Sequence, residues 1–145
     1  TRIHLHVPAT AIDGAHEGLA ATVALISLAL GQPCGTINSQ RVAIIGEITL
    51  TGKVLPVDQL KEKFVTAHRE RIRTLILPAD NREEADIIED EVKNGLTFLW
   101  VENIAQVLHL MWPSLYPAAK YEASTSVLSP LVPLPIGESV PASQA

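Results

Sequence analysis

His16 lies in the stretch DGAHEG, residues 13–18, with Ala15 and Glu17 beside it and Gly14 and Gly18 close by. Glycines at this spacing mark a backbone that is bent tightly or closely approached. A residue held where such a turn enters a helix is often one that does chemistry. Three roles are open to His16: a catalytic group, a metal ligand, or the occupant of a place that has lost another residue. For the metal role, His4 and His6 put two imidazoles on one face of a strand, and His16 could supply a third nitrogen to zinc. Asp13 or Glu17 could then orient a ligand or act as a base. The plainer reading of the same residues is a polar strand face with hydrogen-bonded histidines.

Lys63 is the second candidate. Leu60, Lys63, Phe64 and Ala67 recur at i, i+3, i+4 and i+7, so on a helix Lys63 borders an apolar stripe. A lysine desolvated there could serve as a general base. The alternative is a side chain whose stem covers apolar surface while its charge reaches water, and periodicity alone favours this one. Lys61 also flanks apolar residues, so the stripe does not single out one lysine. Cys34 sits in a loop with no base in view and reads as an incidental thiol. Gly46 to Gly52 with Lys53 is a poor phosphate loop: the spacing is wrong and Val54 stands where a hydroxyl is needed.

The elements that must position these groups fit one domain. The chain has 145 residues, 47% hydrophobic and 19% charged, which is enough to build a core. A net charge of -5 and only 4% aromatic residues argue against nucleic-acid binding. One cysteine excludes an internal disulfide and is compatible with a reducing compartment. No segment reaches the roughly 18 apolar residues of a membrane span, so no membrane partner is expected. No charged leader precedes an apolar segment, so no secretory signal is expected.

RIHLHVP (2–8) alternates and predicts a half-buried strand, with Ile3, Leu5 and Val7 on one face. A helix is predicted over 15–30, apolar almost all round and therefore buried, stopped by Gly31. Residues 31–40 read as a loop. RVAIIGEITL and KVLPV read as a strand and a hairpin joined by a two-residue Thr51-Gly52 turn. Asp58 is the expected cap of a helix running to Glu70. A strand at 74–77, a charged helix within 80–92, a strand at 96–101 and a helix at 104–111 capped by Asn103 complete the pattern. The order predicts an α+β fold with one mixed sheet. From Pro117 the composition shifts to Pro, Ser and Ala, which predicts a disordered tail over 117–145. Its end, PASQA, matches no peroxisomal or endoplasmic-reticulum retention signal.

Taken together, GEITLTGKVLPV, LKEK, TAHRERIRTLILPADN and LTFLWVENIAQVL, with IHLHVP and DG-x-x-x-G before them, resemble the proteolytic domain of Lon, the ATP-dependent protease. The resemblance runs from about residue 2 to 113, and with the change of composition at Pro117 it gives a partial proteolytic domain over 1–116. It implies a fold like the second domain of a small-subunit ribosomal protein. It also implies a serine–lysine dyad, in which the lysine takes the proton of the attacking hydroxyl. The family's lysine falls on Lys63. The family's D-G-P-S-A-G frame falls on Asp13 to Gly18, which places His16 where the nucleophilic serine stands. A threonine usual before GE is Ile45 here, and a glycine pair before the KEK helix is Asp58-Gln59. His4, His6, Asp13, Glu47 and Lys63 match, as do Gly14 and Gly18.

The resemblance thus implies descent from a serine peptidase together with loss of its nucleophile, so the chain is expected to be inactive or strongly impaired. It further implies protein or peptide substrates, ring-shaped homo-oligomers, and a setting in cytoplasm, mitochondrial matrix or peroxisome. ATP would be bound by a separate module, with no cofactor in this chain. The strands that open the family's proteolytic domain are expected before residue 1, and the apolar surface they would cover needs another cover. Two other classes of function stay open: a non-catalytic scaffold or oligomerisation module, and a metal-dependent hydrolase using His4, His6 and His16.

Overall fold

The structure is a computed structural model that describes residues 2–6 and 17–118. Four strands form a mixed sheet: β1 (Thr36–Ile37), β2 (Gln40–Ile44), β5 (Thr74–Pro78) and β6 (Thr97–Val101), in that spatial order. β1 pairs antiparallel with β2, and β2–β5 and β5–β6 are parallel, with Val42 opposite Thr74 and Thr74 opposite Thr97. A separate hairpin joins β3 (Glu47–Ile48) to β4 (Val54–Leu55). Helices α1 (Gly18–Leu30), α2 (Leu60–Arg69), α3 (Arg82–Ile87), α4 (Asp90–Lys93) and α5 (Ile104–Met111) surround these strands. The α+β class with a mixed sheet is as expected.

Alternation along the central strands explains the two cores. Ile76 faces a cluster with Leu19, Val23, Val54, Val101 and Val107. Leu75 and Leu77 face the opposite cluster, with Leu60, Phe64, Ala67 and Ile88. β5 is buried from Leu75 to Pro78, as suits a parallel strand with neighbours on both edges and cover on both faces. Stacking of Phe64 on Phe98, with ring centroids 4.8 Å apart, fastens α2 to β6. The indole Nε1 of Trp112 donates to the Pro33 carbonyl at 3.0 Å and ties the end of α5 to the segment after α1.

Five expectations change. Residues 2–6 form no strand, and Ile3 and Leu5 are 58% and 55% exposed. Alternation alone does not make a strand without a neighbour to pair with, and none of the described strands pairs with this segment. The α1 helix is not buried all round: only Leu19 and Val23 are, while Leu28 is 68% exposed. The N-terminal half packs most closely, and the apolar face around Leu25 and Leu28 is only partly covered. The loop at 31–40 contains a hairpin, β1–β2, turned by Asn38 and Ser39, both at positive φ (50° and 65°), as a two-residue type I′ turn requires.

The turn of the β3–β4 hairpin holds three residues rather than two. The Thr49 amide donates to Lys53 and the Gly52 amide to Thr49, each at 2.9 Å, which makes Leu50, Thr51 and Gly52 the loop. Gly52, at φ 87°, takes the left-handed position of such loops. The charged helix of 80–92 is broken into a 3-10 turn, α3 and α4. Extended backbone at Ile88 and Glu89 turns Ile88 into the core, whereas Ile87 stays exposed. The tail expected from Pro117 lies outside the described residues, apart from Pro117 and Ala118.

Candidate functional site

Helix α2 carries Lys63. Its buried side is Leu60, Phe64 and Ala67, the stripe anticipated from spacing, and Lys63 is half-buried at its border. The helix does not begin on an Asp58 cap. Its N-cap is Gln59, in the left-handed region at φ 58° and ψ 45°, with no side-chain capping bond. The Gln59 carbonyl accepts from the Lys63 amide at 3.3 Å, so this unusual backbone sets the first turn on which Lys63 rides. The preceding loop is held by Asn81. Its Oδ1 accepts from the Val57 amide at 2.9 Å, and its Nδ2 donates to the Val57 carbonyl at 2.8 Å and to Glu84 Oε2 at 2.9 Å. Asn81 is buried, and this amide clamp fixes the path into α2. Sequence reasoning missed it; a polar Asn just after Pro78-Ala79-Asp80 was the available signal.

Lys63 lines a groove of about 310 Å³ whose floor is Ala43, Ile45, Ala67, Ile72 and Leu75. Glu62, Thr66 and Glu70 complete its rim. Lys63 makes no ion pair with another described residue, in contrast to Lys61, whose Nζ lies 2.7 Å from Glu89 Oε1. The structure thus brings Lys63 and Ile45 together at one opening. Ile45 is anchored by its amide, which donates to the Ile76 carbonyl at 3.0 Å, and it packs on the cluster beneath α2.

The next two residues carry the site to α1. Gly46 accepts the Leu19 amide at 3.0 Å. Glu47, half-buried on β3, brings Oε1 within 3.8 Å of the point where a Cβ on Gly18 would stand. A carboxylate at the first turn of α1 matches the positive end of the helix dipole. Gly18 is the first helical residue, and a Cβ there would meet Ile48 and Glu47 only at ordinary contact distance, 3.7–3.8 Å. Asp13, Gly14 and His16 lie outside the described residues. His4 and His6 are exposed on the 2–6 segment, and no group of three metal-ligating side chains occurs among the described residues.

The chemistry of this arrangement is that of a primary amine beside an apolar floor, at the end of a β-strand that also anchors the start of a helix. The sequence model of the Lon protease (S16) C-terminal proteolytic domain matches residues 1–113. The chain belongs to the Lon protease family. It is 42% identical over 115 residues to the mitochondrial Lon protease homolog of Rattus norvegicus, covering 78% of this chain and 12% of that protein. It is 44% identical over 108 residues to the Lon protease of Bacillus thuringiensis, covering 73% and 13%. With the Lon protease of Methanosarcina barkeri it shares 38% over 136 residues, covering 86% and 16%. The chain thus spans about an eighth of the length of the Lon relatives it matches. No helix among the described residues is long and apolar enough to cross a membrane.

Proposed function

We propose that this chain is part of a Lon-type proteolytic domain that has lost peptide-bond hydrolysis. The observation that carries the reading is His16 in the D-G-x-x-x-G frame, two residues before the first residue of α1. In a serine–lysine dyad, the neutral amine of Lys63 would take the proton of a hydroxyl as its oxygen attacks the carbonyl carbon. An imidazole offers no such hydroxyl. It is itself a base, so the site would hold two proton acceptors and no matched nucleophile. Ile45 adds to this: it puts a hydrocarbon beside Lys63 where the resemblance calls for a hydroxyl. Loss of a nucleophile costs on the order of 10⁶-fold in rate in a comparable serine hydrolase.

Ring assembly and ATP coupling, which the family resemblance implies, would draw on the larger part of the relatives, which this chain does not span. A role in assembly fits one observation: the apolar face of α1 around Leu25 and Leu28 is only partly covered, with Leu28 largely exposed. In this reading the chain keeps the fold and a contact surface while protein substrates are cut elsewhere.

The test compares the natural chain with Lys63→Ala and with the double variant His16→Ser/Ile45→Thr, using casein and an unstructured peptide. No cleavage is expected from the natural chain. Cleavage by the natural chain that disappears in Lys63→Ala would overturn the reading.

A further inference from the structure

We propose that Lys63 is a covalent capture site for small neutral aldehydes with an apolar body, which the adjoining groove receives. The described lysines differ sharply in their surroundings. Lys61 and Lys93 are paired with carboxylates, at 2.7 Å to Glu89 and 3.3 Å to Asp90. Lys53 is exposed and shares a polar recess with Asp80 and Glu102. Lys63 is half-buried, forms no ion pair with a described residue, and opens onto Ile45, Ile72 and Leu75.

The charge on the rim decides the class of ligand. Glu62 and Glu70 flank Lys63 on the rim, and Glu70 is paired with Arg69 at 3.3 Å, so the opening has no surplus of positive charge to draw a carboxylate or phosphate despite the lysine. The amine in turn disfavours a simple cation. A neutral carbonyl compound meets neither objection and uses the amine directly. Its size is bounded too, because about 310 Å³ is at the small end of ligand pockets. The Lys63 nitrogen lone pair adds to the aldehyde carbon, and the carbonyl oxygen is protonated to give a carbinolamine. Departure of that oxygen as water, with loss of a proton from nitrogen, leaves an imine. The step needs no oxidant or reductant. Burial of the apolar body shields the imine from hydrolysis, and this is what separates Lys63 from an exposed lysine. The inference goes beyond the loss of peptidase chemistry and does not depend on which residue occupies position 16.

The experiment treats the full chain with benzaldehyde, traps imines with cyanoborohydride, and maps the labelled lysines by peptide mass spectrometry. Benzaldehyde should label Lys63 several-fold more than Lys53, Lys61 or Lys93. Acetaldehyde, which has no body to bury, should label these lysines evenly. A carboxylated benzaldehyde should lose most of the preference. Thr66→Trp, at an exposed position on the rim, should lower benzaldehyde labelling of Lys63 and leave acetaldehyde labelling unchanged. Even labelling by benzaldehyde, or a Lys63 preference untouched by Thr66→Trp in a chain with unaltered thermal unfolding, would overturn the proposal.

Discussion

The amide of Leu19 donates to the carbonyl of Gly46 over 3.0 Å, and this bond seats the first turn of α1 on the link between β2 and β3. The contact is close because Gly46 has no side chain. A Cβ there would lie 3.0 Å from Leu19 Cδ2, 3.2 Å from Val54 Cγ1 and 3.4 Å from Pro78 Cγ. Leu19 and Val54 are both fully or almost fully buried, so neither can swing away. The glycine before Glu47 therefore holds three elements together: α1, the β3–β4 hairpin and β5.

Gly46→Ala should destabilise the chain by about 2–4 kcal/mol, from overpacking and from a φ of 152° that L-residues rarely adopt. Denaturant unfolding would show it as a lower midpoint with an unchanged slope.

Asn81→Ala should cost about 2–4 kcal/mol, because both the amide and the carbonyl of buried Val57 lose their partner. A loss below about 0.5 kcal/mol in chemical unfolding would show that water replaces the clamp without penalty.

Gln59→Gly should act in the opposite direction. A left-handed conformation costs an L-residue about 1–2 kcal/mol, and glycine's added unfolded-state freedom returns part of that. The net gain should be about 0.5–1 kcal/mol. Gln59→Ala is the control: it keeps a Cβ at the same φ and should bring no gain.

Among the described residues, Glu89 sets the one pH response that the geometry supports. The hydrogen bond from Lys61, then a backbone bond and the Lys61 charge, hold its carboxyl below the ordinary glutamate value. A depressed carboxyl contributes stability that is present above the unfolded value, about 4.3, and is lost as the pH falls through the folded one. The natural chain should therefore lose its small advantage over Glu89→Gln as the pH drops below about 4.3. Both side chains are more than half exposed, so added salt should shrink the difference at neutral pH as well.

Much of this was legible in the sequence where a short period met a strong local signal. The stripe of Leu60, Phe64 and Ala67 placed Lys63 at the border of a buried face, and Asn103 caps α5 with its Oδ1 accepting from the Gln106 amide at 3.1 Å. Where tertiary context decides, the pattern misled. Leu25 and Leu28 look like core residues by type, yet burial depends on what packs beside them. Ile3 and Leu5 alternate like a strand, but pairing is a property of two segments. The left-handed Gln59 and the Asn81 clamp left only faint traces, a family glycine pair where Asp58-Gln59 stand and a polar Asn after Pro78-Ala79-Asp80, since each is imposed by the path of the chain between distant elements. The family frame, by contrast, was legible because it is a matter of residue identity and spacing.

Ile45→Thr bears on both stability and chemistry. Ile45 packs on the cluster beneath α2, so the exchange removes buried hydrocarbon and brings a hydroxyl to the edge of an apolar floor. A cost of about 1–2 kcal/mol is expected, against less than about 1 for Ile45→Val, which loses a single methyl group without adding a polar atom. The comparison separates the two terms, because the valine variant isolates the hydrocarbon loss. If the hydroxyl instead finds a partner, such as Lys63, which lines the same groove, the threonine variant will be no less stable than the valine one. Combining Ile45→Thr with Lys63→Met then decides the matter. Additive losses mean that the two side chains do not meet, whereas a double loss exceeding the sum would mean a hydroxyl stranded by removal of its partner.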